Sequence, residues 1–349
     1  MPHPFVVRRA LAVLVAAIAI SARPSQAQET WQKLDPGSSA SFRGLSIVND
    51  RVIWVSGTRG TVLRTTDAGA TWDLDTIPGA KTYDVRAISA RSERVAHVAA
   101  TAGRIWRTTD GGHTWSLRYQ AADTTVFFDA IAFWDDRHGM ALGDPIGGRF
   151  FLLITRDGGE TWQEAAADNR PTVVTGEAAF AASGTSLQLL PNGTALIGSG
   201  GKAARVHRST DRGQTWTAMD VPMQSGSGSN GIFSLGVTGS TVLAVGGDYR
   251  NADSTRAAAA RSTDGGVTWT PARQMPSGYR SGVTVTRRGL ALAVGSNGSD
   301  LSLDGGVTWT SLDRTGFNAV QVTPGGMAFA VGASGAVARL DTRHLAGKR

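Results

Sequence analysis

The chain has 349 residues, 44 glycines, no cysteine and a formal net charge of +7. Many glycines and few charged residues suit short strands joined by tight turns and argue against a mainly helical fold, while the lack of cysteine excludes disulfides, thiolate metal ligands and a lipid-modified cysteine. The basic residues are scattered through the repeats without forming blocks, and three of them (Arg8, Arg9 and Arg23) fall in the acid-free stretch 1–27, so no nucleic-acid partner is expected.

Taken in chain order, the first element is a leader. Arg8-Arg9 precedes an apolar run from Ala10 to Ile20, and a polar stretch ends Ser25-Gln26-Ala27. The run is about half the roughly 20 residues that a spanning helix needs. We expect a signal peptide over 1–27, cleaved after Ala27, and a periplasmic or secreted protein that does not span the membrane. Glu29-Thr30-Trp31-Gln32-Lys33-Leu34 then reads as a strand without a neighbour. Short apolar strands follow at 44–47, 52–56 and 62–64, and a further strand at 71–74 comes after the phrase RTTDAGATW.

That phrase recurs as RTTDGGHTW, TRDGGETW, RSTDRGQTW, RSTDGGVTW and LSLDGGVTW. Its aspartates, Asp67, Asp110, Asp157, Asp211, Asp264 and Asp304, are spaced about 40 to 54 residues apart, the period of a propeller blade. Each copy fits Ser/Thr-x-Asp-x-Gly-x-Thr-Trp, the Asp box. The carboxylate can take backbone N–H groups of its own turn, glycine supplies positive φ, and Thr-Trp leads into the next strand with Trp packed between blades. These six aspartates are therefore read as structural. The last stretch supplies strands at 319–322, 327–332 and 336–340 but no strand after a box, and Glu29–Leu34 is the missing piece. The expectation is an all-β, seven-bladed propeller of Asp-box repeats over 28–342. Its ring is closed by pairing of the N-terminal strand with the C-terminal blade, which protects sheet edges. Residues 343–349 are read as a short basic tail that frays, and the molecule as a monomer.

Aligning the innermost strands puts Arg43, Arg86, Asp129, Glu177, Gly231, Arg280 and Asn318 at one equivalent position, at one mouth of the central channel. Three arginines would converge there with two acids. Guanidinium forks recognise carboxylate or phosphate bidentately, and the competing reading is an internal salt-bridge ring. Long, unequal loops on the same face extend the candidate patch to Asp144, Asp248, Tyr249, Arg250 and Tyr279. The glycine-rich run 198–203 leads into an Asp box instead of a helix, the histidines lack metal-ligand spacing, and Gly-x-Ser-x-Gly is absent; no cofactor, metal or catalytic residue is assigned.

The blade phrase from Gly57 to Trp72 and from Gly295 to Trp309 resembles the photosystem II stability and assembly factor family, and the resemblance covers 28–342. It implies a seven-bladed propeller on the lumenal or periplasmic side that assists membrane-complex assembly without catalysis, with an arginine patch, here Arg43, Arg86 and Arg280, holding a protein partner. Similar bacterial proteins are loosely labelled oxidoreductases, but no redox motif is present here. A second class is a sialidase-like glycoside hydrolase or carbohydrate-binding propeller, since sialidases also carry Asp boxes, three arginines and a Tyr–Glu pair. That class requires Tyr279 or Tyr249 within hydrogen-bond reach of Glu177 and all three arginines around one cavity.

Overall fold

The computed structural model describes residues 30–345 and Met1; the rest of the expected signal peptide, with its cleavage point, and residues 346–349 lie outside the described residues. The described residues are all-β apart from two 3-10 turns, Thr58–Gly60 and Ala167–Asn169. Strands group into seven sheets. The first blade consists of Phe42–Ile47, Ile53–Gly57, Thr61–Thr65 and Asp73–Thr76, paired antiparallel in that order. The same four-strand meander recurs around the ring. In the seventh blade, Ala319–Val322, Met327–Val331 and Val337–Asp341 are joined by Gln32–Leu34, which pairs antiparallel with the last of them in the register Gln32↔Arg339 to Leu34↔Val337.

Burial explains the strand sequences. The second strand of the first blade, Ile53–Gly57, is buried at every position, because both of its faces are covered by neighbouring blades. Outer strands such as Asp73–Thr76 are largely exposed and polar. The core is accordingly a ring of clusters. One of them joins Trp54 and Val62 of the first blade to Val85, Ile88, Val98 and Trp106 of the second.

The box carboxylates bond within their own turns. Asp67 accepts the Thr71 N–H at 2.9 Å and the Thr71 hydroxyl at 2.6 Å, while Thr65 Oγ1 donates to Asp67 and accepts the Gly69 N–H at 2.9 Å. Bonds from Thr71 and Thr65 hold the Asp67 carboxyl down to about 2. Both residues after the aspartate take left-handed backbone, Ala68 at φ 62° and Gly69 at φ 81°. This accounts for the frequent Gly-Gly in the other copies.

Two features differ from the sequence reading. The fourth blade starts its inner strand only at Leu187–Leu189, and the segment before it, Glu177–Ala178, pairs with Gly200–Gly201 at the inner edge of the fifth sheet, making that sheet six-stranded. The chain beyond Thr342 does not fray at once. Leu345 is buried against a cluster with Trp31, Phe317 and Leu340, because an apolar side chain in an otherwise basic tail has a pocket to fill.

Candidate functional site

In four blades the inner strand carries a bulge just before its regular ladder. The register shifts between Phe42 and Gly44, Val85 and Ala87, Phe128 and Ala130, and Ile232 and Ser234. The residue left over is Arg43, Arg86, Asp129 or Phe233. An unpaired bulge residue is re-aimed out of the ladder, and these four line one cavity of about 540 Å³, together with Phe127, Asp144, Phe180, Tyr249, Tyr279 and Asn318.

The mouth is divided into sectors. Blades one and two contribute the basic sector. Arg86 pairs with Asp84 at 3.2 Å and lies over the Phe127 ring at 5.2 Å. Arg43 makes no hydrogen bond or ion pair among the described residues; burial and the nearby Arg86 charge hold its guanidinium below the ordinary value. Blade three contributes Asp129 and Asp144. Burial, and after it Asp144, push the Asp129 carboxyl well up, and burial raises Asp144.

The apolar sector comes from blades four to six. Phe180 stacks on Phe233 at 3.9 Å, and Tyr279 meets Phe233 edge-on at 4.8 Å. Tyr249 stands at the exposed rim, 6.1 Å from Phe233. Asn318 completes the ring, its amide donating to the Phe42 carbonyl at 2.7 Å across the boundary between blades seven and one.

Five residues of the sequence-based set, Arg280, Glu177, Asp248, Arg250 and Gly231, lie outside this cavity. Arg280 is fully buried within the sixth blade. Its guanidinium donates to Asp300, to the Tyr279 carbonyl and Asn297 Oδ1 at 2.6 and 2.7 Å, and to Ser277 Oγ at 2.7 Å. Alignment on Gly282-Val283 makes Ser281 the counterpart of Arg43, so Arg280 is one residue out of register, which turns a strand side chain to the opposite face. Glu177 belongs to the inserted strand. Burial would raise its carboxyl, but bonds from His207, Arg205, Ser199 and the Val174 N–H outweigh it and hold the group down to about 2. Asp248 accepts the Arg250 N–H at 3.0 Å, and neither of these two side chains lines the cavity. In the fifth blade the aligned Gly231 gives way to Phe233.

The arrangement proposed for glycoside hydrolysis is therefore not assembled. Both Glu177 oxygens are taken by His207, Arg205, Ser199 and the Val174 N–H, and the third arginine is in a blade core. The sequence reading missed Phe180, Phe233 and Phe127. A phenylalanine in an inner strand reads as core, but the repeated placement of one residue ahead of Gly44, Ala87, Ala130 and Ser234 is a usable signal for Phe233.

No protein-family model matches the chain. The photosystem II assembly lipoprotein Ycf48 of Picosynechococcus is 34% identical over 64 residues, 18% of this chain and 19% of that protein. The solved structure described as YCF48 bound to D1 peptide superposes with a TM-score of 0.64 at 18% identity, over 89% of this chain and 96% of that one. YCF48 from Cyanidioschyzon merolae gives 0.62 at 18% identity, over 89% and 98%. This chain resembles the photosystem II assembly-factor propellers. The sequence match spans about a fifth of the Ycf48 relative, and the superpositions establish the shared seven-bladed fold. Among the described residues, no helix is long and apolar enough to cross a membrane.

Proposed function

We propose that this chain is an exported binding propeller that captures an acidic segment, or the free carboxyl end, of a protein partner at the Arg43–Arg86 sector. The observation that carries the reading is Arg43, a half-buried guanidinium in the cavity wall without a hydrogen bond or ion pair among the described residues. Two neighbouring cations in a partly desolvated mouth repel each other, and an anion placed between them removes that repulsion and satisfies their donors. The Phe180–Phe233–Tyr249 shelf beside them offers area for apolar side chains of the same segment. The solved relative described as bound to D1 peptide supports a protein partner, and a membrane-complex subunit is the class we favour.

The test is a pull-down from periplasm and solubilised membranes with wild type and Arg43→Ala/Arg86→Ala, alongside a fluorogenic sialoside assay. A client retained by wild type and lost by the folded double variant is the expected result. Sialoside turnover without a client overturns the reading.

A further inference from the structure

The acidic sector is left unused by carboxylate capture. Asp129 occupies the bulge of Phe128–Phe133, and Asp144 occupies a second bulge in Gly139–Ile146, where the register shifts between Gly143 and Pro145. Both side chains line the cavity. Asp129 is only 1% exposed, and its Oδ2 has no hydrogen-bond partner; Oδ1 of Asp144 has none either. The arginines offset them only in part: the Arg86 charge favours the ionised Asp129 but is outweighed by burial and by Asp144. Arg86 is paired with Asp84, and among the described residues neither Arg86 nor Arg43 forms an ion pair with Asp129 or Asp144.

A buried carboxylate without a full counter-charge is costly, and with no cation bound that cost drives the Asp129 carboxyl towards its protonated form; a cation bound between the two acids removes the cost. The chemistry of the surroundings selects which. A hard divalent ion takes six or more oxygen ligands, whereas the described residues contain no group of three or more His, Cys, Asp or Glu side chains able to hold a metal. Phe127, Ala179 and Phe180 line the cavity alongside the two acids, and aromatic and methyl surfaces suit an alkylammonium stem and head.

We propose that Asp129 and Asp144 form an ammonium subsite, which takes a lysine side chain or a free α-amino end of the same segment whose carboxylate lies at Arg43 and Arg86. The inference rests on the carboxylate reading and adds to it that the ligand carries both charges, separated by no more than the width of one channel mouth.

The probes are synthetic nonapeptides of alanine and serine with leucine next to the C-terminus, measured by fluorescence polarisation on the full chain. One set is N-acetylated with lysine at successive positions, a second has norleucine in its place, a third has a free α-amino group and no lysine, and each is made with a free and an amidated C-terminus. Wild type should bind the best lysine or free-amine peptide about tenfold or more tightly than its norleucine counterpart, the scale of one charge-assisted contact. The preference should vanish in Asp129→Asn/Asp144→Asn, and also in Asp144→Asn alone if the double variant does not fold. Which of the two cationic sets wins identifies the source of the ammonium. Free acid beating amide with no cation preference overturns the subsite and leaves carboxylate capture standing, as does a cation preference that survives in the Asn variants. Equal binding of acid and amide overturns carboxylate capture and the subsite with it.

Discussion

Replacing either partner of the Arg280–Asp300 pair should unfold the propeller more readily without acting on the cavity directly. Arg280 is fully buried and Asp300 is 1% exposed. Beyond Asp300 itself, the guanidinium is held by the Tyr279 carbonyl, Asn297 and Ser277, and Asp300 also accepts the Ser277 N–H at 3.1 Å. Removing one charge leaves the other desolvated and uncompensated, at a cost of about 3–5 kcal/mol, whereas replacing both with apolar residues of similar volume removes the uncompensated charge as well. Asp300→Ala and Arg280→Ala are each expected to lose about that much stability in equilibrium urea unfolding followed by tryptophan fluorescence, and Arg280→Met/Asp300→Leu far less than the sum of the two. A loss below about 1 kcal/mol for either single variant would refute the reasoning. So would an Arg280→Ala protein of wild-type stability that has lost its partner, since Arg280 would then be a contact residue.

Three further outcomes follow from other parts of the ring. His97 is buried against Phe133, and burial holds its imidazole down to about 4, only partly opposed by its bond to the Gly158 carbonyl. The unfolded chain therefore takes up the proton first, and stability present above about 6.5 should fall by about 3 kcal/mol as pH drops towards 4, a slope that His97→Gln flattens in unfolding titrations. Asp129 has the opposite sign. Its carboxyl is raised, so its contribution is fully present below the ordinary aspartate value and is lost as pH rises through the folded-state value; Asp129→Asn should stabilise the unliganded protein at neutral pH by about 1–3 kcal/mol, read from the urea midpoint. Trp31 ties the N-terminal strand to the ring through a 3.0 Å bond to Ser299 Oγ and contact with Phe317, and Trp31→Ala should cost about 3–5 kcal/mol in the same assay.

The ring was legible because its determinants are local. Each Asp box carries its own hydrogen-bond acceptor, its left-handed glycine and its tryptophan, so six copies announce the blade period without any long-range information. The strand Gln32–Leu34 was legible by subtraction, as a strand with no box before it. The cavity was only half legible, since Arg43, Arg86, Asp129, Asn318, Asp144, Tyr249 and Tyr279 do line it. Arg280 was misplaced by a single residue because the position is set by where a ladder resumes, which apolar pattern alone does not mark. Glu177 was misplaced because a two-residue strand of Glu-Ala crosses into the neighbouring sheet, an event with no periodicity to betray it. Phe233 shows the converse, a residue that reads as core and is instead turned by a bulge into the mouth.

The central claim is that the partner is held at the bulge-lined mouth and not on the outer, Asp-box side of the blades. A photo-crosslinking side chain placed at Tyr249, exposed at the rim, and in a separate protein at Leu74, exposed on an outer strand, tests it directly in cells. Capture at the mouth predicts a discrete protein adduct from position 249 that disappears with Arg43→Ala/Arg86→Ala, and no such adduct from position 74. An adduct from position 74 that is indifferent to both arginines, with none from 249, would contradict it.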